Sequence, residues 1–512
     1  MAKFRSFQYY NFSGGLDFKS SPPLVAQDEK KCSWSDGFNV ELLKGGGIVK
    51  MKGSQLYAVL PESLSDEIIG GFEGENEGNS FLVVVTKNGK FLYYNNEEFI
   101  VKKADLTPET KPNFKKFLNG VFVSNGIDDP FLFIPGSSQE IYQANATTAG
   151  NHQIRGQAVE IYKGRIFIGD GAALYYSALG KFNDWTSAND AGVINNFHND
   201  TSPITALCCY KDTLIIHKAQ QTFVLTGNSP GNFTIEPFSN LGSVSPFATN
   251  ASHGIQVFFN NGIYPFTVNE LGQIIQESAL SGIIKNKLQD FVNYANREAM
   301  LLNYYDKSQL WCFLYRSNKK YFDTILIYDY VNKAWFQRIA PYEIVAAWEY
   351  EGQILCSLRD GRIVKEAVGS SFLGEPVTFS WSSPFFHFGN ININKTIENL
   401  YLILAMDEDN NFNCQVKKNY SDYEIEDNSA FSHLESNTLV FYDDHGQKGQ
   451  GVLDDDDVAY GYVTMTTDKV IDFSSVISGS NKSVQLQFFG DKLYHSLALL
   501  GVEFCDVFFD ER

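Results

Sequence analysis

No stretch of the chain approaches the ~18 consecutive apolar residues of a membrane helix, so a helical membrane span is excluded. Positive charge is scarce: 41 basic residues face 60 acidic ones, a net charge of −19 at pH 7. A protein that grips DNA by its phosphates needs clustered Lys and Arg. Here only short pairs occur, such as Lys319-Lys320 and Lys417-Lys418. An acidic wall instead repels a passing duplex and keeps it from sticking. The seven cysteines lack any C-x-x-C spacing, and their odd number argues against a disulfide framework, so they read as small buried hydrophobes. The eight histidines are scattered singly with no H-E-x-x-H, which leaves no local zinc constellation. His217 falls in a strand run and reads as a half-buried partner rather than a base.

Phosphate-binding and nucleophile motifs are missing too. The nearest text to a P-loop, Gly479-Ser480-Asn481-Lys482-Ser483, has the wrong spacing and reads as a turn. No G-x-S-x-G elbow occurs, and Gly169-Asp170-Gly171 reads as a hairpin turn because no helix follows. The segment 407–413 hints at a calcium loop, but Phe412 stands where an EF-hand needs Gly and Lys418 where it needs an acid. Asp454–Asp457 reads as a solvated charge run at a hairpin tip. Asp-box repeats of the sialidase type are absent. The first fifteen residues lack the apolar core of a secretory signal, so folding in a cytosol is expected and the sequons at Asn145 and Asn199 carry no weight. No catalytic, cofactor-binding or metal-ligating residue is nominated, and no cofactor and no enzymatic turnover are expected.

What is present is a repeat. Between residues 81 and 365 the chain states one phrase seven times: an apolar run of strand formers, a turn, and a second apolar run. The first runs are 81–86, 120–124, 165–169, 213–217, 256–260, 309–313 and 353–357; the second are FLYYN, PFLFI, LYYSA, TFVLT, GIYPF, TILIY and GRIVK. Lys87-Asn88-Gly89-Lys90, Asn260-Asn261-Gly262 and Arg359-Asp360-Gly361 carry hairpin chemistry, because Asn-Gly and Asp-Gly reach positive φ cheaply. A spacing of ~40–50 residues is typical of propeller blades. Aromatic content of 15%, with 42 Phe and 27 Tyr, suits such pleated, half-buried surfaces.

The expected fold is all-β: a β-propeller of six to seven blades, seven preferred, with a C-terminal sandwich-like domain. Residues 1–60 form a lead-in with a short helical turn at 26–32 and a hairpin about Lys44-Gly45-Gly46-Gly47. Residues 61–368 form the propeller body, and 369–512 a second all-β unit packed on or inserted in the last blade. Ring closure requires a terminal strand to complete a blade, and the hairpin 38–51 or the strand 500–509 is expected to supply it. The spacing of Leu280, Ile283, Ile284, Leu288 and Val292 predicts one helix over 277–292.

Three stretches resemble a known family. The opening text, Gly14-Gly15-Leu16, Ser20-Ser21-Pro22-Pro23-Leu24-Val25, Gly37-Phe38-Asn39-Val40-Glu41-Leu42 and Gly45 to Gly53, resembles the start of tailed-phage virion proteins in which such text precedes a propeller. Gly164-Arg165-Ile166-Phe167-Ile168-Gly169, Leu174-Tyr175-Tyr176-Ser177 and Phe182-Asn183-Asp184-Trp185 are similar to a recurring blade of those proteins. Ser483-Val484-Gln485-Leu486 and Leu499-Leu500-Gly501-Val502-Glu503-Phe504 resemble their usual ending. The family is the tail nozzle or hub, also called packaged-DNA stabilisation, proteins of short-tailed phages. Lys50-Met51-Lys52-Gly53 departs from its usual Arg-Pro-Gly turn.

The resemblance implies a virion protein, made in the host cytoplasm, that forms a homohexameric ring below the portal and adaptor. Such a ring retains packaged double-stranded DNA and conducts it at ejection without binding it specifically. Its further neighbours would be tail fibre, spike or needle proteins, with loops 228–250, 369–378 and the acidic section 420–460 as contacts. Two other readings stand beside it. One is a propeller that binds a host-surface glycan or peptide on one face, for which Trp34, Trp185, Trp311, Trp335, Trp348 and Trp381 would have to converge there. The other is a propeller hydrolase or lyase with acids converging at the central tunnel.

Overall fold

The computed structural model describes residues 5–291, 299–316, 319–406, 413–418, 482–490 and 497–509. Five four-stranded antiparallel meanders follow one another over residues 68–103, 113–143, 158–194, 204–239 and 249–276. Two more share one sheet. Met300–Tyr304, Gln309–Phe313 and Phe322–Asp329 are completed by the first half of the 17-residue strand Ala334–Tyr350. Its second half, past a shift of register at 344–346, opens the last meander with Gln353–Leu358 and Arg362–Glu366. The first strands of successive meanders touch in order, and Ala334–Tyr350 meets Ile68–Asn76, so the circle closes. This is a seven-bladed β-propeller.

The seven apolar phrases are the second and third strands of the seven blades. A blade's middle strands have neighbouring blades against both faces, so their residues need not alternate between core and solvent. Gly120–Ser124, Gln309–Phe313 and residues 81–86 are accordingly buried at every position. Where two first strands approach most closely, side chains must give way. A Cβ on Gly71 would stand 2.4 Å from the Trp348 ring of the seventh blade.

The closing strand is neither of the two expected. Ser54–Val59 pairs antiparallel with Arg362–Glu366 and finishes the seventh blade. The hairpin Val40–Leu42 and Ile48–Lys50 instead joins Leu497–Phe509 in the second unit, where Arg5–Tyr9 and Lys395–Met406 also pair with that strand. A neighbouring four-stranded sheet runs Asn413–Lys418, Val484–Gly490, Phe379–Ser382 and Asp36–Phe38. The second unit is therefore woven from both ends of the chain and is not confined to 369–512. It is continuous with the propeller core: Phe12, Trp34 and Trp381 belong to the same buried cluster as Trp311 and Trp335 of the sixth blade.

Two local expectations change. Over 277–291 the helical residues are a 3₁₀ turn, Leu280–Ile284, and one α turn, Lys285–Leu288, while Val292 lies outside the described residues. Ile284 and Leu288 bury themselves against the propeller, but no side chain caps either turn. Residues 26–32 are not helical; Gln27–Asp28 and Lys31–Trp34 form a small antiparallel pair in which Cys32 and Trp34 are fully buried.

Candidate functional site

In a propeller the first strand of each blade lines the central channel, and ligands commonly meet the channel mouths or the faces. The turns between first and second strands gather on one face, here the near face. They are two-residue hairpins in six blades: Glu77-Gly78, Leu118-Asn119, Lys163-Gly164, Lys211-Asp212, His253-Gly254 and Glu351-Gly352. The first residue of every pair has φ near +50°, although none of the six is Gly or Asn. These turns carry little sequence signal, and the hairpin motifs legible in the sequence belong to the opposite, far face.

Deep in the channel one charge pair is internal. Lys115 Nζ donates to Glu160 Oε2 at 2.8 Å, joining the second and third blades. Burial works against the ammonium, yet Glu160 holds its pKa above the usual lysine value. Across the channel the amides of Asn250 and Asn303 are hydrogen-bonded to each other, and the Asn303 backbone N–H donates to Glu349 Oε1 at 2.7 Å. Glu349 is exposed to solvent in the channel; partial desolvation there raises its carboxyl above the ordinary value, with Glu73 adding repulsion.

The near face carries the largest exposed apolar side chains of the propeller's turns: Leu118, Leu179, Leu271, Tyr305 and Val331, from 57% to 81% exposed. His253 stacks between Tyr305 and Tyr330, with ring centroids 5.2 and 4.9 Å away. On the far face a cleft of about 410 Å³ lies at the bend of Ala334–Tyr350, lined by Tyr342, Glu343, Leu358, Arg359, Asp360 and Arg362. Its arginines are already engaged, Arg359 with Glu343 and Glu67, Arg362 with Asp360.

The residues singled out in the sequence are mostly interior. His217 is fully buried between Thr222 and Gln256. The Thr222 hydroxyl donates its proton to Leu241 O at 2.6 Å, so His217 Nδ1 carries the ring proton and Nε2 accepts from the Gln256 amide. Burial pushes this imidazole down to about 3, which keeps it neutral. Cys32, Cys208, Cys209, Cys312 and Cys356 are all pushed up by burial, Cys208 to about 12, which suppresses the reactive thiolate. All six tryptophans are at most 4% exposed and none reaches a face. Gly169-Asp170-Gly171 is a hairpin turn, with Asp170 paired to Ala173. Among the described residues no three His, Cys, Asp or Glu side chains come close enough to hold a metal ion.

The proposed contact loops fare differently. Much of 228–250 is the outer strand Thr234–Ser239 followed by a buried connection through Ser243, Ser245 and Ala248. Segment 369–378 is a small hairpin, Ser371–Phe372 with Glu375–Pro376, laid beside the closing strand with its tip at Gly374 open to solvent. The section 420–460, the run Asp454–Asp457 and residues 407–412 lie outside the described residues.

No protein-family model matches the chain, and no curated protein matches it. Among solved structures it is similar to the computationally designed protein Ika8 (13% identity, TM-score 0.37, over 61% of this chain and 100% of the designed one). It is also similar to a catalytically inactive virginiamycin B lyase from Staphylococcus aureus with quinupristin (11% identity, TM-score 0.41, over 62% of this chain and 99% of the lyase). A third is YCF48 bound to D1 peptide (10% identity, TM-score 0.40, over 64% of this chain and 98% of that one). None of the three is a phage tail protein. The chain is a β-propeller module with a second all-β unit built from its two ends.

Proposed function

We propose that this module is a structural protein of a short-tailed phage virion, the tail nozzle or hub that rings the DNA exit below the portal and adaptor. The observation that carries the reading is the meeting of the family-like opening and ending. Val40–Leu42 and Ile48–Lys50 lie in one sheet with Leu497–Phe509, and Gly37 pairs with Trp381 in the adjacent sheet. Segments at opposite ends of the sequence thus build one body against the sixth blade, a firm platform for neighbours around a ring.

Three further properties support it. His217 and four thiols, Cys32, Cys208, Cys312 and Cys356, are sealed in the core. The buried tryptophans leave no tryptophan platform for a sugar ring, which disfavours the glycan-binding reading. A net charge of −19 suits a wall past which DNA moves without sticking.

The test is the mass and symmetry of the purified chain, alone and mixed with phage adaptor and portal proteins, by light scattering and negative-stain imaging. A hexameric ring, formed alone or on the adaptor, is the expected result. A persistent monomer that ignores those partners overturns the proposal and turns attention to glycan and peptide arrays.

A further inference from the structure

A blade's outer strand leaves one row of backbone N–H and C=O groups open, which invites pairing with another chain unless the edge is guarded. Six of the seven blades guard theirs. The outer strand Phe99–Lys103 of the first blade carries Lys102 and Lys103, and Thr234–Ser239 of the fourth carries Glu236 and Pro237. In the second, third and fifth blades the outer strands, Ile141–Gln143, Gly192–Ile194 and Ile274–Gln276, are only three residues long. The sixth is covered by the second unit: the Asn39 backbone N–H donates to Gln337 O at 2.9 Å, and Asn39 Oδ1 accepts from the Ile339 N–H at 2.9 Å.

The seventh blade, whose outer strand is Ser54–Val59, has no such device. Its six residues, SQLYAV, include no charge and no proline. Gln55, Leu56 and Val59 face solvent, Leu56 at 53% and Val59 at 49% exposure. On the free side only Ser54 has a backbone partner among the described residues: it pairs with Phe372, and its carbonyl accepts from the Leu373 N–H. Residues 55–59 remain open, an edge about 17 Å long.

The far-face cleft of about 410 Å³ adjoins this strand. The hydroxyl of Tyr342, on its wall, touches that of Ser54, and Arg362, also on its wall, pairs with Val59. The charges around the cleft cancel, Arg359 with Glu343 and Arg362 with Asp360, and Leu358 and the Tyr342 ring supply its apolar lining. An open backbone edge beside a side-chain pocket is the arrangement that takes up an added strand: main-chain hydrogen bonds hold the segment, and the pocket selects a side chain. A second copy of this chain fits it poorly. A strip one strand wide and about 17 Å long falls well short of the ~1,200 Å² of a stable interface, and two copies of charge −19 repel.

We propose that the free edge of Ser54–Val59 binds an extended, uncharged segment of a partner protein. The segment adds a fifth strand to the seventh blade and seats one bulky apolar side chain in the cleft. Its lack of charge matches the Gln, Leu and Val side chains that the edge presents. The site is complete within one chain, so it does not depend on ring formation, and its failure would leave the nozzle reading untouched.

The experiment is fluorescence anisotropy of the full chain with a labelled, capped heptapeptide of alternating threonine and valine that carries phenylalanine at its centre. Saturable one-to-one binding is expected, with Kd below about 1 mM. The amides of Ser54–Val59 should exchange more slowly with the peptide bound. The same peptide N-methylated throughout has no main-chain donors and should not bind. Alanine in place of the phenylalanine should weaken binding about tenfold, as loss of a buried aromatic side chain would. Leu56→Lys, which puts a guarding charge on the edge, should weaken it by about tenfold or more. Val101→Lys, at an exposed position of the first blade's guarded strand, should change nothing. Thermal scans establish that each variant is folded; Gln55→Lys serves if Leu56→Lys fails to fold. Absence of saturable binding overturns the proposal, and so does equal binding of the N-methylated peptide or indifference to Leu56→Lys. Indifference to the phenylalanine strikes the cleft from the site. A dimer of the free chain that Leu56→Lys dissolves would overturn the choice of occupant in favour of a second copy.

Discussion

The ring is latched where its two ends meet, and breaking the latch should open it. Arg338, at the end of the sixth blade, is 0% exposed and donates five hydrogen bonds. Two go to Glu366 Oε2, at 2.9 and 2.6 Å; the others reach Lys52 O, Gly53 O and Ser54 Oγ at 2.7 to 3.0 Å. Glu366, also 0% exposed, accepts in addition from Ser54 Oγ and the Tyr342 hydroxyl, and the guanidinium lies 4.7 Å from the Phe372 ring centroid. One cation thus ties the sixth blade, the seventh blade and the start of the closing strand. Arg338→Met strands the Glu366 charge in the core and orphans two carbonyls, a loss of about 3–5 kcal/mol. Adding Glu366→Leu removes the stranded charge, so the double variant should recover at least about 1–2 kcal/mol. Denaturant unfolding measures the totals. Hydrogen exchange of the amides in Ser54–Val59 locates the loss, because that strand should open first. A cost below about 1 kcal/mol for Arg338→Met, or a double variant no better than the single, would refute the reasoning.

Other outcomes follow from the same geometry. His217 is neutral in the fold, while the unfolded chain takes up its proton near 6.5; stability is full above that pH and falls as the medium is acidified toward 3. At about 1.4 kcal/mol per pH unit the loss from this group between pH 6.5 and pH 4 is about 3 kcal/mol, and His217→Gln should flatten that slope in urea titrations. Glu77 holds φ +51° at an exposed hairpin tip, so Glu77→Asn should stabilise the first blade by about 1 kcal/mol, read as a raised denaturation midpoint. The four buried thiols, Cys32, Cys208, Cys312 and Cys356, should resist a disulfide reagent such as DTNB in the native protein and react on unfolding; rapid native labelling of Cys312 or Cys356 would contradict their burial.

The blades were legible because burial on both faces writes itself as uninterrupted apolar text. Residues 81–86 and Gln309–Phe313 each lie between neighbouring blades, and no solvent-facing position interrupts them. The Lys44–Gly47 turn was equally plain, since Gly45 and Gly46 take φ near +100°. The aromatic cores declared themselves through strand-borne tryptophans such as Trp311 and Trp335. These features depend on a residue's own burial or backbone, which its side chain encodes locally.

Long-range pairing is different. Ser54–Val59 closes the propeller only because Arg362–Glu366, some three hundred residues on, offers the free edge, and nothing in its own text names that partner. The Val40–Lys50 hairpin, which looked equally able to close the ring, goes to Leu497–Phe509 instead. The near-face turns escaped notice because the paired strands on either side force Lys163 or Glu351 into a left-handed conformation that the residue itself does not prefer. Glu73, Asp306, Glu349 and Glu351 come from three different blades, and ring closure brings them to one channel mouth, where among the described residues none of them has an ion pair. Composition and patterning thus determined that the chain is a propeller with a well-filled core. Which strand seals it, how the two ends interlace and where charge is left unpaired were decided in three dimensions, because those depend on partners distant in the chain.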